Sequence, residues 1–267
     1  VLAFPALNAQ AQSSSAVAIQ FEGPLTQAWS LYLDRALELA QQEEAELLII
    51  ELNTPGGSTD QMQALVQTIR SSSVPIVIYV SPAGAHAGSA GTLITLAGHV
   101  AAMAPETAIG AASPIDSSGQ DLNETLDRKV KEILKADARA LAERRGPDAV
   151  ALAEATIEDA IAATADEALS AGMIDFVAND MADLLAQLDG FEVSVLGESK
   201  TLSTNNLTIN QQEMNFLEQL LNIVVSPVIV FGLLTLGVQL LLIEFRTPGG
   251  WIAGFLGVCC LAVAMYG

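Results

Sequence analysis

Basic side chains are scarce in this sequence. Its 267 residues hold 11 Lys and Arg against 31 Asp and Glu, a formal net charge of −20. Proteins that grip nucleic-acid phosphates need the opposite balance, so the composition argues against a nucleic-acid partner. Cysteine is confined to the adjacent pair Cys259 and Cys260, which excludes a disulfide framework and a zinc site made of two spaced pairs. Nucleotide-binding signatures are missing too. No GxGxxG falls at a strand-to-helix junction and no GxxxxGK occurs, so a phosphate cradle is not expected. Only two histidines and four lysines are present, which leaves few groups able to act as a base. Charged residues make up just 16% of the chain against 51% hydrophobic ones, with mean hydropathy +0.42. That is too apolar for a disordered acidic chain.

What is present is divided. All charged residues except Glu244 and Arg246 precede position 219, so an acidic globular part is followed by a nearly uncharged tail. Roughly 200 residues can bury a full core without disulfides. The expected organisation is a signal remnant at 1–12, a globular domain at 13–190, a linker at 191–218 whose polar stretch from Gly190 to about Asn210 reads as a linker or a small hairpin, and a transmembrane region at 219–267. The opening VLAFPALNAQAQ joins an apolar stretch to the small-residue pattern Ala6, Asn8, Ala9, Ala11, the form of a secretory signal's end and hence of an exported domain. Leu220 to Ile243 is 24 residues without a formal charge, and as one helix it would span roughly 36 Å, enough to cross a bilayer. EFRTPGG then makes a turn, and Trp251 to Gly267 begins a second, incomplete span. With Arg246 between the spans and Glu213 and Glu218 ahead of the first, the turn is placed inside and the domain outside.

Within the domain, AVAIQFE (16–22), LLIIELN (47–53), PIVIYV (75–80) and VAAMAP (100–105) read as strands. Helices are expected at 30–41, 59–71, 88–98, 121–145 and 148–155. A helix, Gly turn and strand follow within 164–180, then the helix MADLLAQLD. Repeated strand, tight turn and helix point to a parallel sheet with helices packed on it.

Sites in parallel sheets form beyond the carboxyl ends of strands, where glycine-rich turns and helix N-termini offer free N–H groups. Two such loops occur, Pro55-Gly56-Gly57 and Gly84 to Gly91. Ser89 opens a small-residue helix within the second. It reads either as an N-cap, the common role of serine there, or as a nucleophile whose following N–H binds an oxyanion. Of the bases at hand, His86 has no neighbouring carboxylate to orient it and reads as a loop residue, and His99 reads as a cap on the end of its helix. Seven of the 11 basic residues lie between Arg128 and Arg145, mostly as a solvated helix face. Lys129 is set apart by phase, because positions four, seven and eleven beyond it are Ile133, Ala136 and Ala140. That stripe would put the lysine at the edge of a buried face, either partly desolvated and fit to act as a base or snorkelling past the edge.

The stretches ELNTPGGSTD, VPIVIYVSPAGAHAGSAGTLITLAGHVAAMAPETAIGAASPI, KVKEILKADARALAERRG and TADEALSAGMIDFVAND together resemble the Clp protease and crotonase superfamily. Their order is similar to that of its membrane-bound NfeD branch, the stomatin operon partner proteases, and TLGVQLLLIEFRTPGGWIAGFLGV is similar to that branch's first transmembrane hairpin. The resemblance implies a Clp protease/crotonase-like α/β domain and a serine endopeptidase with a Ser-Lys dyad. In it Ser89 is the nucleophile, Lys129 the base with Lys131 as the alternative, and the N–H groups of Gly57 and Ala90 form the oxyanion hole. Position 114, where soluble Clp proteases would carry a histidine, is Pro114, which does not support a Ser-His-Asp triad. The resemblance further implies no metal or cofactor, an apolar peptide substrate from a stomatin or prohibitin-like membrane partner, and a homo-oligomer. A catalytically latent scaffold for such a partner is the alternative function.

Overall fold

The computed structural model describes residues 15–114, 123–246 and 251–266. The expected signal remnant and the last residues of the turn between the apolar helices lie outside them. The core is a six-stranded sheet with every pair parallel, in the order β11 (Thr208–Gln211), β1 (Ser15–Glu22), β2 (Leu47–Asn53), β3 (Ile76–Val80), β5 (Val100–Met103) and β8 (Phe176–Val177). β3 reads as an unbroken apolar run, and β2 as one interrupted only by Glu51 before its last residue Asn53, because both sheet faces are covered. On one face Ile50, Leu52, Ile78 and Val80 pack with Trp29 and Leu33 of α1 (Gln27–Gln42), Leu65 of α2 (Thr59–Ser71) and Ile94 of α3 (Ala90–Ala97). On the other, Leu47, Ile49, Val77 and Tyr79 pack against Leu184 and Leu188 of α7 (Met181–Leu188) and against Val193 and Val195.

A second, three-stranded sheet stands beyond the carboxyl ends of β2 and β3. It pairs β4 (His86–Gly88) in parallel with β6 (Ala108–Gly110), which runs antiparallel to β7 (Ala162–Thr164). α4 (Glu124–Ala142) and α5 (Pro147–Glu158) pack together beside it, joined by the 3-10 turn Glu143–Arg145, and α6 (Ala165–Ser170) leads to β8.

Three expectations are corrected. Residues 191–218 are not a linker: the small-hairpin alternative holds for β9 (Glu192–Val195) and β10 (Glu198–Thr201), and β11, which was not expected, is an edge strand of the main sheet. The four residues of β11 carry too little apolar alternation to stand out in the sequence. The uncharged run from Leu220 is not one helix either. α8 (Phe216–Val224) ends before Ser226, and α9 (Pro227–Arg246) starts on a proline, which has no N–H to continue the earlier helix. Residues Val228–Arg246 are long and apolar enough to cross a membrane, and α10 (Ile252–Tyr266) is shorter. α9 and α10 pack closely where Gly237 faces Gly257, since a Cβ at either position would lie about 3 Å from the other's carbonyl oxygen.

His99 does not cap its helix. Gly98 closes α3, donating its N–H to the Thr95 carbonyl, while the buried His99 Nδ1 accepts the Ile76 N–H at 3.0 Å at the start of β3. Burial, together with the positive charges of Arg70 and Arg144, lowers its pKa from 6.5 to about 4. The unfolded chain therefore takes up a proton between about pH 6.5 and 4 that the folded chain refuses. Stability from this group is complete above pH 6.5 and lost as pH falls toward 4, by up to roughly 3 kcal/mol. Denaturation midpoints at pH 7 and pH 4.5 should differ less for His99→Gln than for the unchanged protein.

Candidate active site

Ser89 lies between β4 and α3, and its backbone is strained, with φ 51° and ψ −117°. A non-glycine residue in this region costs on the order of 1–3 kcal/mol and persists only where its surroundings hold it. Two contacts do so: the Ser89 N–H donates to the Gly110 carbonyl at 2.8 Å, and the Ser89 carbonyl accepts the Thr92 N–H at 2.9 Å. The capping alternative fails, because the serine side chain makes no cap hydrogen bond. Strand, strained serine and helix in succession is the arrangement that exposes a nucleophilic Oγ at a helix N-terminus.

The turn after β2 lies against this serine. Gly56 has φ 108°, and a Cβ there would fall 2.6 Å from the Ser89 Cβ and 3.2 Å from the Ala90 nitrogen. Thr54, fully buried, fixes the turn by accepting the Gly56 N–H on Oγ1 at 3.0 Å, and Thr54 also pairs with Ala87 of β4. The Gly56 carbonyl accepts the Leu25 N–H at 3.0 Å. The N–H groups of Gly57 and Ala90 have no hydrogen-bond partner among the described residues, so both are available to a ligand. Sequence reasoning named Gly57 and Ala90 but passed over Gly56 and Gly110, whose roles are a close approach and a carbonyl placed by pairing of three-residue strands. The PGG motif carried a signal for Gly56, and nothing local did so for Gly110.

The candidate bases are distributed differently from the helical-phase expectation. Leu134, Ala138 and Ala142 form the buried row of α4, whereas Ile133 is 58% exposed and Ala136, Ala140 and Lys129 are exposed with it. The stripe containing Lys129 therefore faces outward. Alanines lie on both sides of α4 and do not define a phase, which is set by Val130, Leu134 and Leu141 packing into the core. No hydrogen bond joins Lys129 to Ser89 in the structure. Another feature still distinguishes Lys129. Lys131 pairs with Asp127 at 3.3 Å, Lys135 with Glu132 and Glu158 at 2.9 and 3.1 Å, and Lys200 with Glu46 at 3.1 Å. The hydrogen bonds that Lys135 donates to Glu132 and Glu158 hold it above the usual lysine range. Among the described residues Lys129 is the lysine without a carboxylate partner. His86 is exposed on β4, and its backbone N–H donates to Asn53 Oδ1 at 3.1 Å; its ring has no hydrogen-bond partner among the described residues.

A family model for the N-terminal domain of NfeD1b matches residues 16–197. The membrane-bound protease PH1510 of Pyrococcus horikoshii is 37% identical over 253 residues, covering 93% of this chain and 57% of that protein. The chain thus spans little more than half the length of this curated relative. A lysine-to-alanine variant of the 1510-N membrane-bound stomatin-specific protease, solved with a substrate peptide, has a TM-score of 0.73 at 34% identity, covering 79% of this chain and 98% of the other. A serine-to-alanine variant of 1510-N gives 0.69 at 35%, covering 75% and 98%. ClpP1 of Listeria monocytogenes, 14% identical, matches with a TM-score of 0.50 over 62% of this chain and 94% of its own, and so shares the fold. By the extent of the family match, which takes in more than half of its residues, this chain belongs to the NfeD1b N-terminal domain family and has the ClpP-like parallel-sheet α/β fold.

Proposed function

We propose that the chain is a membrane-anchored serine endopeptidase in which Ser89 attacks a peptide carbonyl. Neutral Lys129 takes the Oγ proton and later returns it to the leaving amine, and the N–H groups of Gly57 and Ala90 bind the oxyanion. Ser89 itself carries this reading, since it is held in a strained conformation at a helix N-terminus without capping that helix. The 1510-N relatives, solved as serine and lysine variants, support the same pair of residue types. Their two changed positions lie 41 apart, against 40 from Ser89 to Lys129 and 42 to Lys131. The choice between the lysines rests on their partners. The Lys131 ammonium is held by Asp127, whereas Lys129 has no carboxylate partner among the described residues and is free to turn toward a ligand. An apolar peptide laid along the exposed side of α4, beside Leu126 and Ile133, would strip water from Lys129 and favour its neutral form. Such a peptide agrees with a hydrophobic segment of a stomatin-like membrane partner, the specificity stated for the 1510-N protease. α9 and α10 cross the membrane in this reading, with the domain on the extracytoplasmic side.

Hydrolysis of an apolar peptide by the membrane-reconstituted chain should fall at least about 10³-fold in Ser89→Ala and in Lys129→Ala, with unchanged melting temperature, while Lys131→Ala keeps most of it. Activity that survives Ser89→Ala would remove Ser89 as the nucleophile, whereas no hydrolysis by the unchanged chain would leave the latent scaffold as the better account. A reversal of the two lysine results would move the base to Lys131. Gly56→Ala forces a Cβ into Ser89 from a backbone with positive φ; it should lower both the melting temperature and the rate, the latter by about 10² or more.

A further inference from the structure

The helix that joins the domain to its apolar tail is inside out. In a water-soluble domain an amphipathic helix turns its apolar stripe to the core and its polar residues to solvent. α8 does the reverse. Its inward residues are polar: Glu218, 3% exposed, takes a two-pronged hydrogen bond from Arg35 of α1 at 2.8 and 2.7 Å, and Asn222 Oδ1 accepts from Thr26 Oγ1 at 2.8 Å. The outward residues are apolar, with Phe216, Leu217, Leu220 and Ile223 exposed by 80, 59, 44 and 55%. At 100° per residue these four fall on one side of the helix, opposite Glu218 and Asn222. Asn215 and Glu218 cap the start reciprocally, so the helix has a fixed beginning, and Arg35 holds it to the domain.

We propose that α8 is an interfacial helix whose Phe216, Leu217, Leu220 and Ile223 face is embedded in the lipid surface, docking the domain against the bilayer through its α1 side. The inference rests on reading Val228–Arg246 as a membrane span. Continuity identifies the occupant: only Val225 and Ser226 separate the end of α8 from Pro227, where α9 begins, so the bilayer surface is the apolar medium within reach of these side chains. α8 carries no Lys or Arg, and attachment therefore depends on apolar burial rather than on anionic headgroups. Nine residues alone would make a weak helix in water. The capping box, the Arg35 clamp and the tether to α9, which keeps α8 at high effective concentration next to lipid, make up the deficit.

Single-cysteine variants of the full chain test this: Phe216→Cys, Leu220→Cys and Ile223→Cys, each in a Cys259→Ala/Cys260→Ala background. Each carries an environment-sensitive fluorophore in phosphatidylcholine vesicles, with Leu236→Cys in α9 as the span control and Asp148→Cys as the aqueous reference. The proposal expects emission from all three α8 labels to shift to shorter wavelength and to be lost when a quencher is attached to the lipid, with the Asp148 label unaffected. Water-like emission from α8 beside a lipid-quenched Leu236 label overturns the docking and leaves the span standing. Blue-shifted emission that the lipid quencher does not reach means that protein covers the face, either a second copy or another partner, and also overturns it. A water-like Leu236 label removes the span, and the docking with it.

Discussion

The approach of the Gly56 backbone to Ser89 is the constraint on which the rest of the molecule depends. A side chain at position 56 would overlap the serine Cβ, so the turn after β2 and the residue before α3 can share one place only while position 56 has no Cβ. The large sheet brings them there. β2 ends in the turn, Thr54 pairs with Ala87 of β4, and β4 leads straight into the strained serine. The small sheet supplies the counterforce, since the Gly110 carbonyl of β6 anchors the Ser89 N–H. Two sheets with different directions thus meet at one residue, and the strain there is balanced by hydrogen bonds made elsewhere.

The same turn is tied to the tail. The Gly56 carbonyl holds the Leu25 N–H, the next residue is Thr26, and Thr26 is bonded to Asn222 of α8. Only a few covalent and hydrogen-bonded links separate the candidate nucleophile from the helix that runs toward α9. A groove of about 410 Å³ follows this line, with Glu22, Leu25, Ser58, Gln61, Asn222 and Ser226 among its walls. The opposite end of the sheet is structural: His99, Arg144 and Arg145 secure the starts of β3 and β5 through Ile76, the carbonyls of Gly98 and His99, and Asp175.

Legibility in the sequence followed the strength of local patterns. β2 and α2 appear over the very residues expected, because the apolar run LLII at the start of β2 and an amphipathic helix with a serine cap are strong signals. The small sheet was not legible, since three-residue strands such as His86–Gly88 have no period to read, and yet it positions Ser89. Of the candidate site, the glycine turn and the serine could be seen as motifs, whereas their contact is a product of the fold. Helical phase misplaced Lys129 because alanine is tolerated on both faces of α4. The tail misled for a related reason: hydropathy alone merged α8 with α9, and only Pro227 marks the joint.

One feature of the main sheet bears on how the chain is made. β1, the first strand of the domain, has β11 as its outer neighbour, the last strand of the domain. Throughout synthesis of the intervening residues one side of β1 is an open edge, the kind of surface that recruits other chains. It closes only when Thr208–Gln211 has emerged, and just four residues later α8 begins. The ribosome therefore delivers the closing strand and the apolar helices almost together, and completion of the domain coincides with the arrival of its most aggregation-prone segment.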